Sequence, residues 1–224
     1  MIDDIEIADY LGADDTELEF DIADFDIADI LPTDNRYIKP RFAKKPVSVQ
    51  YEYARQLAKD IKLHPGEQIH CIVGGNFIFG DLFEALLSEK NVVAKSMHVS
   101  TLSLSQNNVD SFKTLLEHEW TDTLTLAISN YFYSHERKVL IPYILDELDI
   151  DNRFDLLVFR THAKIVLMEI GNIKLVITGS ANLRSSRSIE QFTIQESAEL
   201  YAFYRKWFDE NAENYSIINR EVDK

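Results

Sequence analysis

Four positions in the second half of the chain carry residue types that together could attack a phosphodiester. His162 and Lys164 stand two apart in Thr161-His162-Ala163-Lys164, and Ser180 and Asn182 stand two apart in Gly179-Ser180-Ala181-Asn182. On an extended strand, residues two apart share a face. An imidazole placed this way can form a covalent bond to phosphorus. A lysine ammonium beside it can neutralise the equatorial oxygens of the transition state. Ser180 and Asn182 add small hydrogen-bonding groups that can hold those oxygens or fix the ring. Attack without a metal ion then lacks only a second acid/base to protonate the leaving oxygen.

The surrounding sequence indicates what must position these groups. Phe154 to Phe159, Ala163 to Met168 and Ile173 to Ile177 are short runs rich in Val, Ile and Leu, which reads as three strands. Gly171-Asn172 is a turn signal between the second and third. His162 and Lys164 are therefore expected to begin a strand, and Gly179 to Asn182 to leave the next one. A hairpin would bring the two pieces together. Parity puts His162, Lys164, Val166 and Met168 on one face, with Ala163, Ile165, Leu167 and Glu169 on the other.

The combination of His162-x-Lys164 with Gly179-Ser180-x-Asn182 resembles the signature of the phospholipase D superfamily: His-x-Lys, four residues, Asp, then Gly-Ser-x-Asn. Glu169 stands where that signature has Asp, and parity gives it structural support rather than chemistry. The gap from Glu169 to Gly179 is longer than the usual family spacing. Glu190, in Ile189-Glu190-Gln191, matches the acidic residue that follows the family's turn and is expected to orient a His. The match covers about residues 150 to 195. Ser129 to Leu140 and Ser180 to Ile194 also look like proteins carried by phages and mobile elements. The implied fold is an α/β phospholipase D-like sandwich, with a mixed, largely parallel sheet flanked by helices. The family needs two His-x-Lys motifs, and this chain has one. Single-copy members form twofold dimers that bring two motifs to one interface, so the resemblance implies a homodimer. One His162 would then attack while the other serves as acid and base.

Composition bounds the rest. The 224 residues are 46% hydrophobic, enough for one domain with a core and an extension. The single cysteine, Cys71, excludes an internal disulfide and a cysteine-based zinc site, and it reads as a buried, inert thiol. No His/Asp/Glu spacing demands a metal, and no cofactor is expected. No run is long and apolar enough for a membrane span, and the acidic N-terminus is no signal peptide; a cytoplasmic protein is expected. The net charge of −15 is concentrated in residues 1 to 35, which hold 13 Asp/Glu and no Lys/Arg. The remainder has 25 acidic and 23 basic residues, so it can carry a local basic surface.

Four regions follow. Residues 1–35 read as an acidic, disordered extension in which Asp21-Ile22-Ala23-Asp24-Phe25 recurs as Asp26-Ile27-Ala28-Asp29-Ile30, a pattern suited to docking on a protein partner. Residues 36–47 read as a basic linker in which Arg36, Lys39, Arg41, Lys44 and Lys45 alternate with Tyr37 and Phe42, suited to phosphates and stacked bases. Residues 48–215 form the domain, and 216–224 a tail. Within the domain, helices are expected at Val49 to Ile61, Phe79 to Ser88, Asn107 to Glu117, His135 to Leu148 and Ser197 to Glu210. Strands are expected at Ile69 to Val73, Lys95 to Ser100 and Leu124 to Ser129. The alternation implies parallel pairing. Ligands of such sheets bind beyond the strand carboxyl ends, where Gly74-Gly75-Asn76 and Ser129 to His135 would lie. His70 and His98 read as structural. Arg184 and Arg187 follow the Gly-Ser-x-Asn turn and suit flanking phosphates. The expected activity is a metal-independent nuclease acting on DNA, with RNA as the alternative nucleic acid. A phospholipase, a catalytically silent nucleic-acid-binding module and an interaction protein acting through the acidic repeat are the alternatives.

Overall fold

The computed structural model describes residues 36–39, 47–50, 54–62, 64–74, 77–184 and 188–214. All of them fall in the unit Pro32–Lys224. The expectations for residues 1–35 and 215–224 lie outside the described residues. The strands are β1 (Arg36–Lys39), β2 (Val47–Gln50), β3 (Gln68–Val73), β4 (Ser96–Thr101), β5 (Leu124–Ser129), β6 (Phe154–Phe159), β7 (Ile165–Ile170), β8 (Ile173–Gly179) and β9 (Glu190–Glu196). The helices are α1 (Ala54–Asp60), α2 (Asp81–Lys90), α3 (Gln106–Glu117), α4 (Asn130–Glu136), α5 (Leu140–Leu148) and α6 (Ala198–Asn214).

One sheet runs in the order β2-β1-β3-β9-β8-β7-β4-β5-β6. Strand alternation sorts its side chains into two cores. Met97, Val99, Val166, Met168, Leu175, Ile177, Phe192 and Ile194 face a layer in which Leu57, Phe83, Phe112, Phe132 and Ile144 represent α1 to α5. Ala127, Leu157, Ile165, Leu167 and Val176 face the opposite way, against Tyr201 and Phe208 of α6. Helices therefore cover both faces, as expected. Cys71 is buried in the larger core, and burial pushes its thiol pKa well up.

The expected parallel pairing is corrected. Among the described strands, only the neighbours β4–β5 and β5–β6 are parallel. The other neighbours, β1–β2, β1–β3, β3–β9, β4–β7, β7–β8 and β8–β9, are antiparallel. Parallel neighbours need a long crossover. The helical connections supply one on each side of β5, whereas Gly171-Asn172 joins β7 to β8 directly. Strands β3 and β4 do run in the same direction, but the meander β7-β8-β9 lies between them.

Local differences have local causes. Val49 and Gln50 lie in β2, so the first helix begins at Ala54. Arg36–Lys39, expected in a linker, pairs with β3. The Ser129 hydroxyl accepts from Phe132 N–H at 3.0 Å, which starts α4 five residues before His135. His135 thus ends one helix rather than beginning the next.

Candidate active site

His162 and Lys164 lie just before β7, not inside it. The backbone of Ala163 between them is held by side chains instead of a strand ladder. Thr161 Oγ1 accepts from Ala163 N–H at 3.1 Å, and the Ser100 hydroxyl donates to the Ala163 carbonyl at 2.9 Å. Side-chain bonds of this kind compete with regular sheet pairing. His162 is exposed and Lys164 half-buried, and Lys164 Nζ donates to the His162 carbonyl at 3.1 Å.

The β7–β8 hairpin delivers the second half of the site. Ile165 pairs with Thr178, which places Lys164 opposite Gly179. Gly179 N–H donates to the Lys164 carbonyl at 3.4 Å. The His-x-Lys segment and the Gly-Ser-x-Asn turn therefore meet at one end of one hairpin, as the sequence led us to expect. Ser180 is exposed, and its N–H donates to the Gln191 carbonyl at 2.8 Å. Its hydroxyl donates to the carboxylate of Glu190 and accepts from Gln191 N–H at 3.1 Å. A hydroxyl has a single hydrogen to donate, so Glu190 holds Ser180 in this arrangement. Ala181 and Leu183 are buried and anchor the turn in the larger core. Asn182 lies between them, and its buried Oδ1 has no protein partner.

Glu169 is turned away from this cluster. It belongs to the α6 side of the sheet, where its carboxylate meets Lys174 Nζ at 2.7 Å and Lys95 Nζ at 3.9 Å. The Lys174 hydrogen bond holds the Glu169 carboxyl below its usual range. The Lys174 ammonium lies 5.2 Å from the Tyr201 ring centroid. Arg184 is exposed two residues beyond Asn182. Lys39 lies in β1; Arg41, Lys44, Lys45 and Arg187 lie outside the described residues, as do Gly75 and Asn76. His70 contacts Thr193 through Nδ1 at 3.2 Å. Among the described residues, no group of three His, Cys, Asp or Glu side chains is placed to hold a metal ion. Nor is any described helix long and apolar enough to cross a membrane.

Ser100 and Thr161 were not singled out in the sequence. Nothing local marks Ser100, whose role depends on β4 lying beside β7, whereas Thr161 acts locally, on the Ala163 N–H two residues on.

The arrangement offers an exposed imidazole, an ammonium two residues beyond, a carboxylate-held hydroxyl and a carboxamide with a free acceptor. No protein-family model matches the sequence, and no curated protein matches it either. Solved structures do. NucT from Helicobacter pylori superposes with a TM-score of 0.51 at 13% identity, over 68% of this chain and 100% of that one. Phosphatidylserine synthase from Haemophilus influenzae Rd KW20 gives 0.49 at 13% identity, over 80% and 43% of the two chains. Nuc from Salmonella typhimurium, a phospholipase D family member, gives 0.46 at 13% identity, over 59% and 87%. The fold is the phospholipase D-like α/β sandwich.

Proposed function

We propose that this chain is a metal-independent phosphodiesterase of the phospholipase D superfamily that cleaves DNA through a phosphohistidine intermediate at a homodimer interface. One observation carries the reading: the Gly179 N–H to Lys164 carbonyl bond, which closes the His-x-Lys segment and the Gly-Ser-x-Asn turn onto each other.

In the proposed reaction, an imidazole nitrogen of His162 attacks phosphorus and the P–O bond to the leaving group breaks. Lys164 neutralises the equatorial oxygens, and the Asn182 carboxamide fixes the phosphoryl group. The leaving oxygen takes a proton from the imidazolium of His162 on a second copy of the chain. That imidazole, now neutral, accepts a proton from water as the water attacks phosphorus. The P–N bond breaks, and both rings return to their starting states. The second copy enters because the chain has one His-x-Lys motif. Arg184 and Arg187 beside the turn, and the basic stretch Arg36 to Lys45, support a polyanionic substrate. The near-neutral body of the chain is compatible with it.

The test is cleavage of single- and double-stranded DNA in excess EDTA by the wild type and by His162→Ala. Cleavage by the wild type alone, with trapped phosphate on His162, is expected. DNA binding without cleavage by either protein would replace the proposal with a silent binding module. Turnover of phosphatidyl lipid vesicles instead of DNA would replace it with a phospholipase.

A further inference from the structure

The connection from β4 to α3 reaches both halves of the candidate site. At one end, Ser100 donates to the Ala163 carbonyl, between His162 and Lys164. At the other, Asn108 in the first turn of α3 donates through Nδ2 to the Leu183 carbonyl at 3.3 Å, directly after Asn182. The same carbonyl accepts from Gly80 N–H at 2.9 Å.

Asn108 is fully buried and uses both ends of its carboxamide. Its Oδ1 accepts from Ser105 N–H at 2.9 Å and from the Ser105 hydroxyl at 3.0 Å, capping α3. Its Nδ2 is then directed at Leu183. Of the side chains of this length, a carboxamide presents an acceptor and a donor together. Gly80 leaves the space for it, since a Cβ there would lie 2.3 Å from Nδ2. The Leu183 side chain is itself 1% exposed, so the carbonyl cannot swing away without emptying the core.

We propose that Asn108 is a positioning residue for the phosphodiesterase chemistry. By fixing the Leu183 carbonyl it sets Asn182 and Ser180 against His162 and Lys164, which Ser100 holds from the same connection. The consequence for turnover rests on the function proposed above, whereas the coupling of Asn108 to the turn does not.

Three variants separate positioning from folding. In Asn108→Asp, one carboxylate oxygen keeps both bonds from Ser105 while the other faces the Leu183 carbonyl without a hydrogen. The turn must shift, and a shift approaching 1 Å reduces turnover by roughly 10- to 100-fold. We expect kcat to fall by that factor, with KM changed less than about threefold. Gly80→Ala crowds Nδ2 from the other side and should reproduce the fall. Ser105→Ala weakens the cap but leaves Nδ2 on Leu183, so its melting temperature should drop while kcat stays within about twofold. Amide resonances of Gly179 to Asn182 give a readout independent of turnover: they should move in Asn108→Asp and Gly80→Ala, and stay in place in Ser105→Ala. Unmoved resonances in either of the first two variants, or a kcat within about twofold of wild type in both, overturn the proposal. An equal loss of kcat in Ser105→Ala overturns it as well. A wild type that cleaves no phosphodiester removes the functional reading, and the amide resonances then decide the coupling alone.

Discussion

Replacing Gly179 with Ala should open the sheet at the point where the site is assembled. A Cβ built on Gly179 lies 2.2 Å from the Gln191 carbonyl oxygen and 2.6 Å from Phe192 Cα. A comfortable contact needs about 3.5 Å, so β8 and β9 must separate by roughly 1 Å here. The neighbours cannot retreat. Phe192 is fully buried, with ring centroids of Phe79 at 4.7 Å and Phe77 at 5.8 Å. The Ser180 N–H bond to Gln191 starts at 2.8 Å, and a separation of that size takes it out of hydrogen-bonding range. Overpacking costs about 1–3 kcal/mol and the lost bond about 1 kcal/mol, for a sum near 3 kcal/mol. For a chain of this size that corresponds to a melting temperature lower by about 6–12 °C.

The same displacement moves Ser180 and Asn182 away from Lys164, so DNA cleavage well below the transition should fall by roughly 100-fold. Thermal unfolding followed by circular dichroism measures the first effect and initial rates the second. Gly171→Ala is the control. Its φ of +56° strains any L side chain, yet nothing lies within 4 Å of its Cβ position. It should lose about 1 kcal/mol of stability and keep full activity. A Gly179→Ala protein that melts within about 2 °C of wild type would refute the close-approach argument.

Two further outcomes follow from the α6 face. Burial, and then the neighbouring Arg205 guanidinium, lower the His98 pKa to about 4. Arg205 stands 2.5 Å from its Nε2 and is itself paired with Asp209 at 2.8 Å. The unfolded ring takes up a proton near pH 6.5 while the folded ring stays neutral, so the unfolded state binds more protons between about pH 6.5 and 4. The contribution is complete above about pH 6.5 and falls by about 3 kcal/mol as pH drops to 4. In urea unfolding, His98→Gln should lose less stability than wild type between pH 7.5 and 4.5; equal losses would contradict the assignment. Glu169→Gln, which removes the partner of Lys174 on the face away from His162, should cost at most about 1 kcal/mol and leave cleavage within about threefold. A loss of tenfold or more would give Glu169 a part in the chemistry.

Legibility followed the range of the interactions. The hairpin around Gly171-Asn172 could be read because its apolar runs and its turn are local. Parity then placed Glu169 correctly, since Val166 and Met168 enter one core while Ile165 and Leu167 enter the other. Strand β9 also carries a local signal, although no strand is expected there from the apolar runs. Phe192 and Ile194 alternate with Gln191, Thr193 and Gln195, a half-buried pattern of period two. Sheet order was not readable in the same way. Gln68 of β3 meets Gln195 of β9 across 127 residues, and Arg205 meets His98 across 107. No window of sequence contains both partners, so the strand-helix alternation suggested parallel neighbours that the meander in fact keeps apart.

That correction leaves the candidate residues on one rim of the sheet, and the strand directions explain why. Strands β3 and β8 are both antiparallel to β9, so they run together. Strands β8 and β4 are both antiparallel to β7, and β5 and β6 continue parallel to β4. The carboxyl ends of β3, β4, β5, β6 and β8 therefore share one rim, where β7 and β9 begin. On that rim stand the exit of β6 into His162 and Lys164, the exit of β8 into Ser180 and Asn182, and the start of β9 at Glu190. The end of β4 with Ser100 and the first turn of α3 with Asn108 meet the same rim. The rule that ligands bind beyond strand carboxyl ends needs a common direction among the strands that present the loops. It does not need those strands to be neighbours. Inserting an antiparallel meander between β3 and β4 therefore changes the sheet order without moving the candidate residues off the rim.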